Sequence, residues 1–336
     1  MSRHGFEALP SKRQRDQRFW LGALAILLGA AALSLAVRSW NTRPGEPTGG
    51  DSYASLRHTD LRLITYQSLL TIPVKMERPS AVALDRHDHI FAAGDRVIRS
   101  FGEHPVPDIP LQEDPQCLAI DDRGQFFVGF SDHVEVMSRD GKLESRWSLP
   151  GPRACLTSLA VGGGFVWVAD AGDRVVLRCS PSGQVLARIG ERDPERGIPG
   201  LVVPSPHLDV APDTASRVWV TNPGRHRLEL YAGDAALVTS WGIPSASIEG
   251  FSGCCNPTDI ARCPDGSIVT AEKGLRRLKH YARDGRLLGV IAAPESLPQD
   301  DEGLDLAVDS RGRVIALDPA ARVIRIYVPM GKTVGI

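Results

Sequence analysis

"SLAVGGGFVWVADAGDRVVLRCSPSGQVLARIG", residues 158–190, decides the fold. "SLAV" and "FVWVAD" are short apolar, β-branched runs parted by three glycines, and runs of that length bounded by glycine read as strands. "VVLRC" follows after "AGDR", and the Ser-Gly turn in "SPSG" sends the chain back as "QVLARIG". Tight turns between consecutive strands fix them as antiparallel neighbours, because parallel strands need a crossover of a dozen residues or more. The stretch therefore reads as one four-stranded meander.

The same order recurs five more times. "AVALDRHDHIFAAGDR" (81–96), "CLAIDDRGQFFVGFSDH" (117–133), "HLDVAPDTASRVWVTNPGRHR" (207–227), "DIARCPDGSIVTAEKGLRR" (259–277) and "DLAVDSRGRVIALDPAAR" (305–322) each open on a strand, turn, and enter a second strand. Third strands with Gly turns follow, as in "VEVMSRDGKLESRW" and "LKHYARDGRLLGVIA". Repeats of this length, each unable to bury its own faces, stack radially, and six four-stranded units predict an all-β, six-bladed β-propeller. A ring needs fastening. The strand-like "DLRLITYQSLLTIPV" (60–74) precedes the first repeat and is expected to pair with the last one, "RVIRIYVPMGKTVGI" (322–336).

The recurring apolar-Ala-apolar-Asp strand, the Gly turn and the Asp-plus-Arg pair, clearest in "DAGDRVVLR" (170–178), resemble the NHL-repeat family over residues 79–336. The resemblance implies a propeller whose loops at one mouth of the central channel carry function. Two other propeller groups are similar in architecture. Amidating lyases imply zinc on three histidines, and here only His207 is placed at the start of an inner strand. Gluconolactonase-like propellers imply a metal on a glutamate, an asparagine and aspartates, which Asn256, Asp259 and Asp305 partly match, with Glu77 as the early glutamate.

Ahead of the repeats, "FWLGALAILLGAAALSLAV", residues 19–37, carries no charge. As a helix it would reach about 28 Å, enough to span a bilayer. Arg3, Lys12, Arg13, Arg15 and Arg18 outweigh Glu7 and Asp16 before it, so the positive-inside rule keeps residues 1–18 cytoplasmic. We expect a cytoplasmic tail (1–18), a single N-terminal transmembrane helix (19–37), a linker (38–52) and an exported propeller domain (53–336), periplasmic or extracellular. The other reading of 19–37 is a signal peptide cut after Ala36, which exports the same domain. The whole chain has 39 Lys+Arg against 40 Asp+Glu. With the basic tail set aside the repeats are net acidic, which argues against nucleic acid as a partner.

Loops joining second to third strands, and loops leading into first strands, share the functional mouth. Two neighbouring repeats place Arg225, His226, Arg227, Glu272, Lys273, Arg276 and Arg277 there. Guanidinium and ammonium groups hold carboxylate, phosphate or sulfate oxygens, so a partner protein or a small anionic ligand is the expected occupant, with Asn256 beside it. The enzyme alternative is a metal-dependent lyase or lactonase with Ca²⁺ or Zn²⁺ on His207, Asp259 and Asp305. "GFSGCC" (250–255) offers a third chemistry. Adjacent α-carbons lie about 3.8 Å apart, below the usual disulfide span, so a Cys254–Cys255 bond would be strained and reducible, a structural plate or a redox switch. Cys117 is placed near the same mouth. No GxxxxGK[ST], HExxH or GxSxG occurs, which leaves nucleotide hydrolysis, zincin and serine-hydrolase chemistry without a carrier.

Overall fold

The computed structural model describes residues 57–103, 105–214, 216–298 and 302–331. The tail, anchor and linker proposed for residues 1–52 lie outside them. Among the described residues no helix is long and apolar enough to cross a membrane.

Six four-stranded antiparallel sheets are present. From the inside outward, blade 1 runs Pro79–Leu84, Ile90–Gly94, Val97–Phe101, Ile109–Pro110. Blade 2 is Cys117–Ile120, Phe126–Gly129, His133–Met137, Leu143–Ser148; blade 3 is Leu156–Gly162, Phe165–Asp170, Val175–Cys179, Val185–Ile189. Blade 4 is Val210–Pro212, Arg217–Asn222, Arg227–Ala232, Leu237–Trp241; blade 5 is Asp259–Arg262, Ile268–Glu272, Arg277–Tyr281, Leu287–Ala292. Blade 6 takes Asp305–Val308, Val314–Asp318 and Val323–Pro329 from the end of the chain and its outermost strand, Tyr66–Pro73, from the beginning. Tyr66 pairs with Pro329 and Pro73 with Val323, so the expected fastening is the one that closes the ring.

The blades are apolar on both faces because each face meets a neighbour. In the second strand of blade 3, Val166 and Val168 pack into a cluster with Phe127 and Val134 of blade 2, while Trp167 and Ala169 pack with Val218 and Val220 of blade 4. Equivalent clusters fill the other four gaps, including the gap between blades 6 and 1. That two-sided burial explains the unbroken apolar runs where a half-exposed sheet would alternate.

The recurring Asp after the first strand is a turn cap. Asp85 Oδ1 accepts the amides of His87 (2.8 Å) and His89 (3.0 Å), Asp121 Oδ1 those of Arg123 and Gln125, and Asp309 Oδ1 those of Arg311 and Arg313. In the Asp-plus-Arg pair the aspartate reaches back to the loop entering the blade, Asp95 accepting the amides of Glu77 and Arg78 and Asp173 pairing with Arg153, while the arginine makes the turn. Arg96, Arg174 and Arg322 occupy left-handed turn positions with φ of 59°, 57° and 57°.

Candidate functional site

The six inner strands surround a channel, and three consecutive blades put a carboxylate at the same step of it. Asp259 and Asp305 open the inner strands of blades 5 and 6, Asp209 immediately precedes that of blade 4, and all three line both a mouth cavity of about 370 Å³ and the channel cavity of about 340 Å³. Each reaches sideways to the next blade. Asp209 Oδ2 accepts the Ile260 amide at 2.6 Å, Asp259 Oδ1 the Leu306 amide at 3.1 Å, and Asp305 Oδ2 the Val82 amide at 2.5 Å. The carboxylates are therefore circumferential staples running from blade 4 round to blade 1. Thr157 continues the device, donating to Leu208 O at 2.6 Å, as does Ser80 to Pro115 O at 2.7 Å.

Crowding three acids in the channel disfavours their charge. Burial pushes Asp209 up to about 6 and Asp305 up to about 7, and burial with the neighbouring carboxylates raises Asp259 well above the usual range. The nearness of Asp209 and Asp305 adds to the burial that raises Asp259.

The sequence reading placed His207 at the channel step of blade 4, and this is corrected. Asp209 holds that step, equivalent to Asp259 and Asp305, and His207 stands two residues earlier in the loop. Its ring lines the mouth cavity beside Gly303, whose Cα hydrogen faces His207 Cε1 and Thr258 Oγ1. Burial, and then the Lys273 charge, lower His207 to about 4, so its imidazole is neutral at physiological pH. Among the described residues no three His, Cys, Asp or Glu side chains are grouped so as to hold a metal ion. His207 turns toward Gly303 while Asp259 and Asp305 spend an oxygen each on backbone amides. Glu77 lies away from the channel, exposed and paired with Arg322 at 2.8 Å.

The basic sector is largely internal. Arg276 is fully buried, bonded to Asp318 Oδ1 of blade 6 at 3.1 Å and to Pro298 O at 2.9 Å. Arg277, 2 % exposed, grips Glu272 through Nε (2.8 Å) and Nη2 (3.0 Å) and reaches Gly250 O. Lys279, which the sequence reading passed over, is also fully buried. It bonds Glu272 Oε1 at 2.8 Å and Gly250 O at 2.6 Å and lies over the Phe251 ring. Glu272, Arg276 and Arg277 thus hold the protein together where an anion site was expected.

The remaining predicted residues divide. Arg225 is exposed and donates to the carbonyls of Gly200 and Pro199, both at 3.3 Å; His226 occupies a left-handed turn position; Arg227 is paired with buried Glu229 at 2.8 Å. Lys273 is different. It is half-buried at the mouth, and among the described residues its ammonium meets only Ser205 Oγ, at 3.5 Å.

Asn256 is fully buried and acts as a clasp between the loop leading into blade 5 and the turn that carries Lys273. Its Oδ1 accepts the Lys273 amide at 2.9 Å, and its Nδ2 donates to Lys273 O at 3.0 Å and Ser252 O at 2.7 Å. Just before it, Cys254 is exposed and Cys255 buried, with their sulfurs 3.0 Å apart and no disulfide between them. Cys117 lines the channel as a free thiol rather than pairing with either.

No family model matches the sequence, and no curated protein matches it either. Solved structures do resemble the fold. The WD40 β-propeller domain of Doa1 superposes with a TM-score of 0.53 at 16% identity, covering 76% of this chain and 79% of that one. A streptogramin B lyase gives 0.54 at 9% identity, covering 79% and 98%. Virginiamycin B lyase from Staphylococcus aureus gives 0.51 at 13% identity, covering 80% and 89%. At such identities the likeness establishes a β-propeller and nothing about the ligand.

Proposed function

We propose that this protein is a membrane-tethered binding module that takes a carboxylate-bearing ligand, a small organic acid or an acidic segment of a partner protein, at the channel mouth beside Lys273. The observation that carries the reading is the state of that lysine. It is a half-buried cation close enough to His207, which lines the 370 Å³ mouth cavity, to lower that imidazole, and among the described residues its ammonium meets only Ser205 Oγ; the neutral imidazole leaves its charge uncancelled. Arg276, Arg277 and Lys279 are engaged inside the fold, Arg227 is paired with Glu229, and the exposed Arg225 is turned onto the carbonyls of Gly200 and Pro199, which leaves Lys273 as the cation best placed for an incoming anion. An ion pair formed at a partly desolvated site, with Ser205 and His207 as further hydrogen-bond partners, suffices for a tenfold contribution to affinity, about 1.4 kcal/mol.

Titrating the full-length chain in detergent micelles with glutarate, and separately with a triglutamate peptide, tests this. Lys273→Ala is expected to weaken the binding arm at least tenfold, with Arg225→Ala nearly neutral. Equal affinities for wild type and Lys273→Ala would reject the reading. The anchor is proposed from the uncharged run 19–37 and its basic flank, with the propeller outside the cytoplasm; protease added to intact cells should digest the propeller and spare the tail. The metal-assisted lyase reading needs His207, Asp259 and Asp305 on one ion, and the stapling of both aspartates to backbone amides favours binding over it.

A further inference from the structure

We propose that Cys254 and Cys255 are an exchange-active dithiol whose closure into a vicinal disulfide, driven by an organic disulfide, repositions Lys273 and so regulates the mouth. The regulatory part rests on the binding reading above; the chemistry at sulfur does not.

Three observations converge. The two sulfurs are already in contact at 3.0 Å, so an S–S bond needs about 1 Å of further approach. Their environments differ in the sense that ordered exchange requires: Cys254 is exposed and open to a disulfide from solution, while Cys255 is 4% exposed and sheltered from it. Lys273 adds a cation that favours the Cys254 thiolate, opposing the larger upward effect of the thiol next door.

The third observation is mechanical. Asn256, next in sequence to Cys255, holds Lys273 by both its amide and its carbonyl, and Gly253 on the other side has φ 73° with its Cα facing the Asn256 amide group. Closing a ring across residues 254 and 255 must twist the backbone leading into Asn256, because the α-carbons of neighbouring residues are too close for a relaxed disulfide. That twist passes to Lys273 through two hydrogen bonds.

The step balances. The Cys254 thiolate attacks one sulfur of R–S–S–R, forming a mixed disulfide and expelling RS⁻, which takes up the proton Cys254 gave away. Cys255 Sγ then attacks the Cys254 sulfur, the internal bond forms, and the second RSH leaves with the Cys255 proton. The protein loses two hydrogens and two electrons, and the organic disulfide becomes two thiols.

The test equilibrates the full-length chain in micelles with oxidised and reduced glutathione at graded ratios, quenches with acid, and reads intact and peptide masses together with amide hydrogen exchange. The expected result is a two-hydrogen loss on the peptide holding residues 254 and 255, no retained glutathione, reversal by excess thiol, and altered exchange of the Lys273 amide. Cys255→Ser should stop at a stable glutathione adduct on Cys254, whereas Cys254→Ser should not react. An unchanged mass on the peptide holding residues 254 and 255 at every ratio, or a stable glutathione adduct in the wild type, overturns the exchange proposal. A disulfide that leaves Lys273 exchange unmoved overturns the regulation. Failure of glutarate and triglutamate to bind either state would refute the binding reading and with it the regulation of the mouth, and would leave the exchange at sulfur standing, since neither mass nor amide exchange depends on a ligand.

Discussion

Glu272 shows how one residue can turn a basic cluster inward. Buried without any exposure, it faces Arg277 and Lys279 at 2.8 Å each and accepts the Ser252 amide at 3.0 Å. Burial opposes its ionisation, but the Lys279 and Arg277 charges prevail and hold it below its ordinary value, while Lys279 is itself lowered to about 8 by burial. Glu272→Gln would leave two cations buried against carbonyl groups, and removing one partner of such a set costs about 3–5 kcal/mol. Urea unfolding of the variant should show that loss, against a change within about 0.5 kcal/mol for Arg225→Ala at the surface. The sequence placed the basic residues in the right turns and mistook their exposure. "EKGLRR" looks the same whether its arginines meet solvent or meet Asp318, 42 residues away in the next blade. Lys279 was hidden for a related reason: within "RLKHY" it reads as a solvent-facing strand residue, and only the 243–251 loop folded over it makes the position internal.

At the scale of the strand and its turn, legibility was far better, because the determinants lie within a few residues of each other. The capping aspartates and turn glycines specify the hairpins before any blade meets its neighbour. Gly183 illustrates both the local rule and its limit. Its φ of 87° calls for glycine in the "SPSGQ" turn on local grounds alone. A Cβ there would also stand 2.4 Å from Trp147 Cγ on the outer strand of blade 2, and Gly285 repeats the arrangement beneath Trp241. Gly183→Ala therefore combines left-handed backbone cost with displacement of an indole. We expect a loss of more than about 1 kcal/mol with a shifted Trp fluorescence maximum, whereas Gly164→Ala, also at positive φ but with open space around it, should show the backbone cost without the spectral change. Blade 4 was the one repeat read out of step. "HLDVAPDTAS" offers a polar residue at both 207 and 209, and the pairing of Val210 with Val220 leaves Asp209, opposite Thr221, as the residue at the head of the inner strand.

For the whole ring, the number of blades and their closure by Tyr66–Pro73 were readable from repeat count, but the electrostatics of the channel arise only when blades 4, 5 and 6 are brought side by side. Asp209 and Asp305 bind protons in the folded ring up to about pH 6 and 7, whereas in the unfolded chain they release them near 3.8. Their contribution to stability is therefore full below about pH 4 and is lost as pH rises through those folded values. His207 acts in the opposite sense. Lowered from 6.5 to about 4, it favours the folded state above pH 6.5 and withdraws that support as pH falls toward 4. Between pH 4 and 6 three carboxylates, the raised Asp259 among them, oppose one imidazole, and between 6.5 and 7 Asp305 and Asp259 act with no counterweight from His207. These groups together should make the ring less stable at pH 8 than at pH 5. Thermal unfolding of the full-length chain across that range checks the sign. Asp305→Asn keeps an oxygen to accept the Val82 amide at the closure between blades 6 and 1 and removes the titration, so its profile should flatten, most clearly above pH 6.5. His207→Asn removes the opposing group and should steepen the fall between pH 5 and 6. If Asp305→Asn retained the wild-type slope, the pH dependence would have to arise elsewhere than in the channel carboxylates.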